Sequence, residues 1–114
     1  MTEIFRNPIT ENGADPFVVR FEDRYYYVYS AADGVFVSNA DNIPHLAQDG
    51  KCIFRPEAGK PYSKELWAPE IHSINGDWYC YVAADDGANV NHHMYVLKST
   101  DGRPDGVYAM VGML

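Results

Sequence analysis

The sequence is short of several things, and each shortage narrows what the chain can be. Only two cysteines occur in 114 residues. Cys52 and Cys80 have neither metal-ligand nor redox spacing, so buried free thiols are expected rather than a disulfide. Cationic residues are scarce, nine Lys and Arg against sixteen Asp and Glu for a net charge of −7, and they are scattered rather than gathered in a stripe. That balance disfavours nucleic acid and anionic membrane as partners. No apolar run approaches the roughly 18 residues of a membrane span, and the opening MTEIFRNP lacks the basic and apolar regions of a leader. A cytoplasmic location is the expectation. Windows of helical period are missing as well.

Aromatic residues, by contrast, are plentiful: nine Tyr, five Phe and two Trp make 14% of the chain, and hydrophobic residues reach 46%. Such a chain can build one packed domain, and rings with an apolar body and a polar tip suit sheet cores and sugar-binding clefts alike. Apolar residues recur with period two or in short runs, which predicts an all-β chain. Eight strands are expected, over 17–21, 24–31, 35–38, 51–55, 70–74, 77–84, 93–99 and 107–111. Turn pairs separate them at Glu22-Asp23, Asp33-Gly34, Asp49-Gly50, Asn75-Gly76 and Asp101-Gly102.

The first four strands and the second four are related. Setting DPFVVRFEDRYYYVYSA (15–31) over APEIHSINGDWYCYVAA (68–84) matches Pro16 with Pro69, Val18 with Ile71, Phe21 with Ile74, Tyr25 with Trp78 and Ala31 with Ala84. Four antiparallel strands per repeat describe a β-propeller blade, and the boundaries fall at about 15–56 for the first and 66–114 for the second. An eight-stranded sandwich is the rival architecture. Two blades do not close a ring, so the expectation is either a piece of a longer propeller or copies that assemble as a homo-oligomer through their open blade faces.

In a propeller the first strand of each blade lines the central channel. Asp15 stands at the mouth of the first such strand, immediately before Pro16, and Glu70 at the second, immediately after Pro69. Alternation puts positions 15 and 17 on one face, with Glu70 opposite Phe17 in the repeat. Both carboxylates are therefore expected to converge on the channel, displaced by about 6 to 7 Å along the strands. Trp67, three residues before Glu70, is read either as a stacking platform for a sugar ring or as a blade-packing residue. Phe17, Asn91 and His92 are further candidates for contact with a ligand. His72 reads as a hydrogen-bonded wall residue. The acidic loop Asp85, Asp86 and Asn89 lacks the alternate spacing of a calcium loop, so no metal is expected there.

GADPFVV (13–19), RYYYVYS (24–30), DGVFVS (33–38) and LWAPEIHSINGDWYCYVAADDG (66–87) closely resemble the amino-terminal part of glycoside hydrolase family 43, five-bladed propellers that cleave arabinose- and xylose-containing glycans. The resemblance covers nearly the whole chain but only two of that family's five blades. It implies an inverting glycosidase of α-L-arabinofuranosidase or β-xylosidase type, acting on an oligosaccharide substrate; some members of the family hold a calcium or chloride near the channel, but no residue here marks one and no cofactor is expected. Asp15 matches the family's general base, and Glu70 falls where the family has a carboxylate that orients the general acid and tunes its pKa. The acid itself is a glutamate expected in a third blade, so these 114 residues alone are expected to be inactive. A non-catalytic carbohydrate-binding or oligomerising module is the alternative. The boxes typical of fructan-acting and sialic-acid-releasing propellers do not occur.

Overall fold

A computed structural model describes residues 17–31, 34–42 and 50–114 of the chain. Eight strands follow one another: β1 (Phe17–Phe21), β2 (Arg24–Ala31), β3 (Gly34–Ala40), β4 (Lys51–Phe54), β5 (Lys64–Ile74), β6 (Asp77–Asp85), β7 (His93–Ser99) and β8 (Tyr108–Met113). They form two four-stranded antiparallel sheets in the orders β1-β2-β3-β4 and β5-β6-β7-β8. Each sheet is a simple meander of neighbours in sequence, the topology of a propeller blade, without the long return connection of a Greek-key sandwich.

The turns explain the register. Asn75 and Gly76 both have positive φ, 53° and 86°, the pattern of a two-residue hairpin turn that matches strand twist. Glu22 and Asp23 adopt the same conformation, at 50° and 63°, without a glycine. Pairing runs in step from both turns: Phe17 faces Val28 as Glu70 faces Tyr81, and Val18 faces Tyr27 as Ile71 faces Cys80. The repeat seen in the sequence is therefore a repeat of register.

That register decides how the sheets stack. Phe17, Val19, Phe21, Tyr26 and Val28 of the first sheet pack with Ile71, Trp78, Cys80, Val82 and Ala84 of the second in one core. The equivalents of those second-sheet residues are Val18, Tyr25, Tyr27, Tyr29 and Ala31, which lie in a separate cluster on the other side of the first sheet. A sandwich buries equivalent faces against each other; here the front of one sheet meets the back of the next. Such head-to-tail stacking can be repeated, as a propeller requires.

Phe21 closes on Trp78 edge to face, with ring centroids 5.0 Å apart. Between the sheets, Asn39 Nδ2 of β3 donates to Asp105 Oδ2 of the β7–β8 loop at 3.0 Å. Both thiols are free, Cys80 fully buried and Cys52 half-buried. Burial pushes the Cys80 thiol up to about 12.

Several boundaries differ from expectation for physical reasons. β3 extends to Gly34 and Ala40, β4 stops at Phe54, and β8 runs from Tyr108 to Met113. The largest difference is β5, which begins at Lys64 rather than Glu70. Pro69 therefore does not open the strand. It sits inside an edge strand, where its missing N–H costs no ladder bond. Asp33 and Asp49, each half of an expected turn, lie outside the described residues.

Candidate active site

β5 positions most of the candidate residues, and its irregularities determine how. The pairing jumps from Lys64↔Asp85 to Trp67↔Ala83 to Glu70↔Tyr81, three residues on β5 against two on β6 at each step. Each jump is a bulge of one extra residue, and each contains a non-glycine residue with positive φ: Glu65 at 53° and Ala68 at 49°. Without the second bulge, the odd spacing of Trp67 and Glu70 would put them on opposite faces. With it, both oppose β6 residues of the same face.

Glu70 is solvent-accessible on the front of the second sheet, and His72 follows it on that face. His72 Nε2 lies 3.0 Å from Glu70 Oε1. The His72 ring also meets Tyr81, with centroids 5.9 Å apart, and Phe17 of β1 at 5.4 Å. Phe17 thus reaches across the inner edges of the two sheets to the pair that holds Glu70. A cavity of about 540 Å³ opens here, lined by Ala68, Glu70, His72, Ser73, Tyr81 and Met94 among others. The structure brings Phe17 and Glu70 together through His72. Asp15 lies outside the described residues.

Trp67 belongs to a second group. Its indole is 48% exposed, and its ring centroid is 4.4 Å from that of His92. The indole N–H donates to Glu65 Oε2 at 3.1 Å. His92 Nδ1 is 2.9 Å from Asp85 Oδ2, and the Asp85 side chain is only 2% exposed. Asp85 Oδ1 accepts in addition from the Gly87 N–H at 2.8 Å.

Asn91 is engaged elsewhere. Its amide donates to both Asp86 oxygens, at 3.3 and 3.1 Å, and closes the β6–β7 loop. The Ala88 N–H and then the Asn91 amide hold the Asp86 carboxyl below its ordinary value.

Sequence reasoning placed His72 as a wall residue but did not pair it with Glu70, although their two-residue spacing on a strand implies one face. It missed Asp85, which it read as part of a solvated loop. The signal for Asp85 was weak: a buried carboxylate needs a partner, and His92 follows seven residues on, across the loop.

The profile described as glycosyl hydrolases family 43 matches residues 5–114. Among curated relatives, an extracellular exo-alpha-(1->5)-L-arabinofuranosidase of Streptomyces avermitilis is 35% identical over 105 residues, covering 88% of this chain and 22% of that protein. A protein of the same description from Streptomyces chartreusis is 30% identical over 105 residues, covering 88% of this chain and 32% of that one. The crystal structure of an alpha-L-arabinofuranosidase from Lactobacillus brevis superimposes with a TM-score of 0.81 at 25% identity, covering 95% of this chain and 38% of that one. The chain thus spans between a fifth and two fifths of the length of these proteins.

One expectation is corrected. The cytoplasmic location inferred from MTEIFRNP is overturned by the two Streptomyces relatives, both named as extracellular. A missing leader carries no weight in a chain that spans so small a share of its relatives. The match to the family spans both sheets, and the chain belongs to glycosyl hydrolases family 43.

Proposed function

We propose that this chain contributes the first two blades of an inverting glycoside hydrolase acting on oligosaccharides that contain arabinose or xylose. Inversion needs one carboxylate as base for water and a protonated carboxyl group for the leaving oxygen, roughly 6.5 to 9.5 Å apart. In this reading Asp15 is the base. Glu70 is a supporting carboxylate beside the acid, where like charge helps the acid keep its proton. The acid is supplied by a glutamate of a third blade.

The observation that carries the proposal is the contact of Phe17 with His72, 5.4 Å between rings, next to the 3.0 Å bond from His72 to Glu70. Phe17 opens β1 two residues after Asp15, and in this reading Asp15 and Glu70 border one space. Family membership and relatives named as arabinofuranosidases support the substrate class.

Binding and turnover test different parts. Titration of the chain with a short arabino-oligosaccharide should shift the NMR signals of Glu70, His72 and Phe17, with no release of free sugar. Turnover by these residues alone would overturn the assignment of the acid to a third blade. Shifts confined to other surfaces would overturn the site.

A further inference from the structure

Trp67 combines features that rarely occur together. Its indole is 48% exposed, yet it is held at its edge by Glu65 and on its face by His92. The backbone on either side is strained, because Glu65 and Ala68 both occupy the left-handed region without being glycine. A side chain left in solvent needs none of this. Strain and pre-set geometry accumulate where a group must be presented to something else.

His92 is held in turn. Its Nδ1 is bonded to the buried Asp85 carboxylate at 2.9 Å, and the ring is only 17% exposed. Nε2 is buried and has no partner among the described residues. Asp85 and the indole are therefore what orient the ring, and its second nitrogen is not offered to solvent. The geometry points to His92 as the floor beneath a ligand-contacting residue, with Trp67 above it.

We propose that Asp85 and His92 form a positioning pair that fixes the Trp67 indole as a platform for the C–H face of a sugar ring. This rests on the carbohydrate reading above and adds to it how one subsite is built. Asp85 locks the imidazole, the imidazole fixes the tilt of the indole, and Glu65 sets its rotation. Stacking on a pre-set ring avoids the loss of side-chain freedom that binding otherwise exacts.

The test follows Trp67 fluorescence in the whole chain, taken as the difference from a Trp67→Phe variant so that Trp78 is subtracted. His92→Ala should lower the anisotropy of the indole, raise its acrylamide quenching about twofold, and weaken binding of an arabino-oligosaccharide about tenfold. Asp85→Ala should do the same. Asp85→Asn, whose carbonyl can still accept from the Gly87 N–H while its NH2 donates to an unprotonated His92 Nδ1, should restore both signals. If Asp85→Ala does not fold, His92→Ala, at a partly exposed position, decides the matter. Two failures read differently. An indole equally immobile in His92→Ala overturns the positioning pair whatever the sugar does. An indole that is freed, in a chain whose emission never responds to sugar, overturns the carbohydrate platform while the pair stands.

Discussion

Substituting Ala68 probes the bulge that puts Trp67 and Glu70 on one face. At φ 49° the Ala68 Cβ crowds the following carbonyl, at a cost of roughly 1–2 kcal/mol. Glycine removes that strain but gives up about 0.5–1 kcal/mol of chain entropy, so Ala68→Gly should stabilise by about 0.5 kcal/mol or slightly more. Ala68→Val places a β-branched side chain in the same region and should destabilise by about 1–2 kcal/mol. Glycine should then exceed valine by about 2 kcal/mol, against a strand propensity that favours valine by up to ~1 kcal/mol at an ordinary pleated position. Urea denaturation reads the difference directly, as a shift in midpoint of roughly 1 M at unchanged slope. A valine variant more stable than the glycine variant would refute the bulge, and with it the shared face of Trp67 and Glu70.

Further outcomes follow from the turns and loops. Glu22→Asn with Asp23→Gly copies the Asn75-Gly76 hairpin and should stabilise by about 1–2 kcal/mol in the same assay, even with the exposed Arg20–Asp23 pair lost. Gly106→Ala should destabilise by roughly 1–3 kcal/mol, because its methyl group would collide with the Asp101 carboxylate, which Ser99 Oγ and the Arg103 N–H hold in place. Those same two bonds, Ser99 first, keep the Asp101 carboxyl below its ordinary value. A lowered value in the folded state stabilises above the unfolded pKa of about 3.9 and is lost as pH falls further. The stability gap between the parent chain and Asp101→Ala should therefore be full at pH 6 and shrink below about pH 4; a gap that is constant down to pH 2 would contradict it.

The hairpins were legible because their signals are local. Runs such as RYYYVYS and DWYCYV alternate against turn pairs, so β1, β2 and β7 begin and end where the sequence predicts. The stacking was legible through the repeat, since residues that match across 53 positions fall on matching faces. β5 was not legible before Glu70. Its bulges turn on Glu65 and Ala68, residue types with no preference for positive φ, and an odd spacing of exposed residues ordinarily breaks a strand pattern. The Asp85–His92 pair was hidden for another reason. A polar residue after an apolar run reads as a loop, and only the approach of β7 supplies the partner that allows its burial. Between the sheets, the bond from Asn39 to Asp105 joins residues 66 positions apart, which no local pattern announces.

The most direct test is a crystal structure of this chain soaked with a short arabino-oligosaccharide. The account predicts one sugar ring at the inner edges of β1 and β5, with hydroxyl oxygens within about 3 Å of the carboxylates of both Asp15 and Glu70. Carboxylates opening on different surfaces, or a sugar seated away from both, would contradict it.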